Sequence, residues 1–99
     1  MARLIPVTGD ATWITPNNGA TFDLDELQAF IGGYIEFVTL DDGLILCINE
    51  EGKLRGLPRN PLATAYVAPY LRDGDYIAGP AILLTRKESG DEDEENDDA

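Results

Sequence analysis

The chain has 99 residues, 43% of them hydrophobic, with 19 acids against seven bases, no histidine and one cysteine, Cys47. That length fits one small globular domain with little core area to spare, and a lone cysteine excludes an internal disulfide. Without histidine the usual general base and the commonest zinc ligand are missing, which argues against catalytic triads and zinc sites.

No apolar run reaches about 18 residues and no signal-type segment opens the chain, so the sequence reads as cytoplasmic, with no membrane partner. Residues 88–99 carry eight acids and no base, whereas residues 1–87 carry eleven acids and seven bases. The expected division is an α+β globular domain over 1–87 and a disordered acidic tail over 88–99, because the tail lacks the apolar residues that offset ordering. The tail serves solubility or, alternatively, mimics nucleic acid in a partner's basic groove. A body of net charge −4 is not expected to bind duplex DNA, where affinity rests on neutralising several phosphates.

In chain order, Arg3 to Val7 and Ala11 to Thr15 flank Thr8-Gly9-Asp10 and read as a β-hairpin with Trp13 buried on one face. Pro16-Asn17-Asn18-Gly19 is a loop by composition. Asp23 and Glu26 have capping-box spacing, and Leu24, Leu27, Phe30 and Ile31 form an apolar stripe, so a helix is expected over 23–31, stopped by Gly32-Gly33. Tyr34 to Leu40 and Leu44 to Asn49, joined by Asp41-Asp42-Gly43, give the strongest strand signal and are expected at the sheet's centre. Glu36 interrupts one face of the first strand, as a rim acid or a ligand contact. Cys47 reads as a small core residue.

After the Glu50-Glu51-Gly52 turn, Lys53 and Leu54 are expected to add a third strand and complete a meander. Asn60 as N-cap and Pro61 at the first helical position start a second helix reaching about Ala68, with Leu62, Ala65 and Tyr66 on its docking face. Arg72-Asp73-Gly74-Asp75 is a turn, and Tyr76 to Ala78 and Ala81 to Thr85 form a closing strand broken at Gly79-Pro80. The fold class is α+β, a mostly antiparallel sheet with two short helices. Three hairpin candidates leave apolar faces and edges that two short helices can hardly cover, so a homo-oligomer, a dimer or higher, is expected.

Between Gly52 and Arg72 no acid occurs, while Lys53, Arg55, Arg59 and Arg72 do, an inversion of the overall sign. Beside a helix start these cations either pair with carboxylates elsewhere or hold an anion. On the second reading Lys53, Arg55 and Arg59 are charge partners, Asn60 and Thr64 supply hydrogen bonds, and Glu36 is a further ligand contact. No metal site or cofactor is expected.

Gly32-Gly33-Tyr34-Ile35-Glu36, then Asn49-Glu50-Glu51-Gly52-Lys53-Leu54, Gly56-Leu57-Pro58, Asn60 and Ala63-Thr64, together resemble a group of small domains of unknown function found in phages, plasmids and integrative elements. The resemblance covers roughly Leu24 to Leu84 and implies a mobile-element context without a mechanism. An enzyme is the weakest class, since no motif carries a mechanism. Two binding readings remain. One is an oligomeric anti-defence protein that sequesters a small anionic, nucleotide-type ligand. The other is an interaction module that inhibits or adapts a host protein through its sheet face or acidic tail.

Overall fold

The computed structural model describes residues 1–41 and 43–90. Five strands, β1 (Ala2–Ile5), β2 (Thr12–Ile14), β3 (Ile35–Thr39), β4 (Leu44–Asn49) and β5 (Ala81–Thr85), make one antiparallel sheet in the order β2-β1-β5-β4-β3. The chain therefore forms the expected α+β domain, built as two hairpins, β1–β2 and β3–β4, joined by β5. The centre differs from expectation: β5 is the middle strand and β3 is an edge. β5 carries no charge, and Ala81, Ile82 and Leu84 are almost inaccessible, so both its faces can be covered. β3 carries Glu36, which stays solvated at an edge.

One helix covers each face. α1 (Leu24–Ile31) begins at a capping box in which Glu26 accepts a hydrogen bond from the Asp23 N–H at 2.9 Å. It ends at Gly32, whose φ of 86° suits the left-handed cap. Leu27 and Ile31 join Phe22, Ile45, Cys47, Ile82 and Leu84 in one apolar cluster. Leu24 and Phe30, at the margins of the stripe, remain exposed, since two turns of helix seat about one residue per turn on a sheet. Burying each large aliphatic side chain contributes about 1.5–3 kcal/mol.

On the other face, α2 (Pro61–Val67), followed by an exposed 3-10 turn (Ala68–Tyr70), packs Ala63 and Val67 with Ile5, Leu46, Ile77 and Ala81. The docking face is Ala63 and Val67, not the expected Leu62, Ala65 and Tyr66, which point outward. Ala63 is small enough to let the helix axis come close to the sheet.

Asn60 dictates that orientation. Its Oδ1 accepts from the Ala63 N–H at 3.0 Å, and its Nδ2 donates to the carbonyls of Ile5 and Gly79, each at 3.0 Å. Its own N–H donates to Ile77 O at 2.8 Å. One fully buried side chain thus joins the end of β1, the start of α2 and the segment leading into β5.

Three further expectations are corrected. Lys53 and Leu54 form no strand: residues 50–56 are successive turns, with Arg55 N–H donating to Glu51 O at 2.8 Å and Leu57 N–H to Gly52 O at 2.9 Å. Gly52 lies so close to the next segment that a Cβ there would meet Ala78 O at 2.5 Å. Tyr76 to Ala78 is not a strand, making only a bridge between Ala78 and Arg59, because its polar groups turn toward α2 instead of a neighbouring strand. Trp13 is 60% exposed, since β2 is an edge that no helix covers, and the Arg3 guanidinium lies 4.5 Å from its ring.

The acidic segment expected from residue 88 begins as structure: residues 88–90 lie in a turn, and residues 91–99 fall outside the described part. Glu88 is buried, accepting from the Met1 amine at 2.5 Å and from the Thr85 N–H at 2.9 Å, while its carbonyl accepts from Phe22 N–H at 2.7 Å. Burial pushes its carboxyl up, but the hydrogen bonds from the amine and from Thr85 outweigh this and hold it below the ordinary glutamate value of 4.5. A lowered folded pKa gives stability that is complete above 4.5 and is lost as pH falls through the folded value. Glu88→Gln should therefore be less stable than the parent at pH 7 in urea unfolding, with the gap shrinking as the pH falls below 4.5. A gap constant down to strongly acid pH contradicts this assignment.

Candidate functional site

A recess of about 460 Å³ lies on the α2 face beside the β3 edge. Its apolar floor is Val38 and Ile48 from the β3–β4 hairpin with Leu71, Ile77 and Ala78 from the segment after α2. The turns following β4 bring Glu50, Gly52, Lys53 and Leu54 to one wall, and Asp75 and Tyr76 form the opposite wall. Glu36, projecting from β3 on the same face as Val38, completes the rim.

Local chemistry fixes these walls. Asn49 closes β4 by accepting the Glu51 N–H on its Oδ1 at 2.8 Å, which starts the turns that carry Lys53. Gly74, with φ 83°, lets the chain reverse after Arg72, and Asp75 then accepts the Tyr76 N–H at 2.8 Å. The Lys53 ammonium pairs with the Asp75 carboxylate across the recess. That hydrogen bond first, and the Tyr76 N–H second, hold the Asp75 carboxyl below its ordinary range. Lys53 Nζ lies 4.8 Å and the Arg59 guanidinium 4.0 Å from the centre of the Tyr76 ring, so two cations share one aromatic side chain.

The residues of the basic island thus separate. Lys53 and Glu36 line the recess, and Arg59, outside its lining, meets Lys53 only through the Tyr76 ring. Arg55 does neither; it lines a smaller notch of about 220 Å³ with Gln28, Gly33, Tyr34 and Glu51. Thr64 turns inward, its hydroxyl accepting the Ile77 N–H at 2.9 Å. Asn60 is wholly buried with both amide hydrogens engaged, and its oxygen takes the Ala63 N–H that a bound anion would need. Asn60 and Thr64 build the wall and do not face the recess.

Asp75, Tyr76 and the apolar floor were not singled out from the sequence. Lys53 and Asp75 are 22 residues apart and pair only because two turns face each other. The recess also differs in sign from the basic stretch, since Glu36, Glu50 and Asp75 line it against Lys53 alone. Cys47 lies in the core, and burial pushes its thiol up to about 12, so it is no thiolate at neutral pH.

Fold and recess define a small antiparallel α+β domain with a preformed, acid-rimmed cleft beside one sheet edge. The chain belongs to the DUF3846 family, a domain of unknown function whose model matches residues 4–98, a span that includes the N-terminal hairpin. No curated protein and no solved structure matches it.

If Asn60 is a structural joint, Asn60→Ala should cost about 3 kcal/mol or more in urea unfolding, because it strands three buried partners at once. Asn60→Ser, which can keep only the cap acceptor, should recover about 1 kcal/mol of that. A loss under about 1 kcal/mol for the alanine variant would mean that the cap is its only role.

Proposed function

We propose that this domain is a mobile-element accessory protein that binds a small nucleotide-type ligand in the acid-rimmed cleft and catalyses no reaction. The observation that carries this reading is the meeting of Lys53 and Arg59 on Tyr76 beside an apolar floor. A flat base has apolar surface to lie on, Glu36 and Glu50 can accept hydrogen bonds from its N–H groups or from ribose hydroxyls, and the two cations supply charge for phosphate. Arg59 offers a planar fork to two phosphate oxygens, and Lys53 a point charge that can exchange Asp75 for ligand.

The same carboxylates work against a bare anion, so the nucleoside part has to contribute to affinity. The α2 N-terminus plays no part, because Asn60 already occupies it. Sequestering a nucleotide signal of host defence is the role that suits this chemistry in a mobile element. A second reading, docking onto a host protein, is supported by the outward Leu62 and Tyr66, 44% and 41% exposed and one helical turn apart on α2.

A thermal-shift panel of linear and cyclic nucleotides, their nucleosides and inorganic phosphate tests the proposal. At least one nucleotide should raise the melting temperature where inorganic phosphate at equal concentration does not. Lys53→Ala and Arg59→Ala should each weaken that binding about tenfold, equivalent to about 1.4 kcal/mol, with folding intact. Silence across the panel, or unchanged affinity in both variants, favours the protein-docking reading.

A further inference from the structure

We propose that the free edge of β3 pairs antiparallel with β3 of a second copy about a twofold axis at Phe37, joining the two acid-rimmed clefts into one trough. The ladder shows which backbone groups are free. Glu50 N–H donates to Tyr34 O and Leu40 N–H to Leu44 O, both at 2.9 Å, so Tyr34 and Leu40 face β4. In the register that pairs Glu36 with Ile48 and Val38 with Leu46, Glu36 and Val38 face it too. The N–H and C=O groups of Ile35, Phe37 and Thr39 therefore point away from the sheet. Among the described residues β3 contains no proline and no lysine, its one charge is Glu36, and Tyr34 and Phe37 are 65% and 40% exposed.

The opposite edge is a poorer candidate. β2 is only three residues long, and its Trp13 is occupied by the Arg3 guanidinium.

The side chains of β3 select its own copy and this register. With the axis at Phe37, each Glu36 falls opposite the partner's Val38, so the only charge of the strand never faces its like. Tyr34 meets the partner's Leu40, Ile35 meets the partner's Thr39, and Phe37 meets the partner's Phe37, an aromatic pair in a hydrogen-bonded position. A shift of the axis by one residue toward the N-terminus would set Glu36 against Glu36. Glu36 and Val38 both line the cleft, so each cleft gains the partner's Val38 and Glu36 across one strand spacing of about 4.8 Å. This pairing does not depend on the ligand proposed above.

Sedimentation of the full chain at micromolar concentration should show a dimer. Because both copies are acidic, the dimer should tighten as NaCl is raised from about 0.05 to about 0.5 M. Phe37→Lys sets like charges on the axis and should weaken dimerisation at least tenfold while leaving the circular dichroism unchanged. Should that variant misfold, Phe37→Cys reads the same register. A hydrogen-bonded antiparallel pair sets its Cα atoms about 5.5 Å apart, within disulfide reach, so this variant should cross-link on oxidation. Ile35→Cys, displaced from its symmetry mate, should not cross-link, and the native Cys47 is buried and silent. A monomer at both salt concentrations overturns the proposal. So does a dimer unaffected by Phe37→Lys, or cross-linking through position 35 instead of 37, either of which assigns the association to another surface or register.

Discussion

The fold depends on a single buried amide. Sheet pairing through β5 joins the two hairpins but leaves α2 apart, and Asn60 is the side chain that β1, α2 and the approach to β5 all share. Its donors satisfy two carbonyls, one at the end of β1 and one before β5. Buried carbonyls without partners are costly, so the joint both stabilises the fold and specifies where β5 enters. Insertion of β5 then covers the inner edges of both hairpins and leaves only β2 and β3 as edges.

The cleft follows from that joint. Asn60 fixes Ile77 and Gly79, and Gly79 N–H in turn donates to Pro58 O at 2.8 Å, so the segment 75–79 stands as a wall facing the turns after β4. Gly52 permits close approach, because its missing side chain makes room for the Ala78 carbonyl. The walls carry three acids and Lys53, with Arg59 against the Tyr76 ring, and under the proposed function this distribution suits a ligand with both hydrogen-bond donors and negative charge.

Much of the local structure was legible in the sequence because each signal acts within a few residues. The capping box at Asp23 and Glu26, the left-handed Gly32, the Asn60 cap and the whole of β4 are of this kind. The central place of β5 was not read, since the 34–40 and 44–49 strands were expected there, although the uncharged run Ala81 to Leu84 suits burial on both faces better than a strand interrupted by Glu36 does. What could not be read was non-local. The inward face of α2 is set by hydrogen bonds to Ile5 and Gly79, and Lys53 meets Asp75 only once two turns oppose each other. The cations, adjacent in sequence, diverged in space: Arg55 turned toward Gly33 and Tyr34, Arg59 toward Tyr76. Glu88 belonged to an acidic run by composition, yet a single buried position beside Thr85 and the N-terminal amine draws it into the fold.

Native-state hydrogen exchange on the amides around Asn60 tests this dependence most directly. Ala63 N–H, Ile77 N–H and Asn60 N–H are held by the joint or beside it, and Ile82 and Leu84 report the central strand. If the joint makes the cleft wall and the sheet one cooperative unit, the first three amides exchange only through global unfolding, with the same opening free energy as those of β5. Exchange of Ala63 and Ile77 at a clearly lower free energy than β5 would show α2 and the wall opening on their own, and would contradict the account.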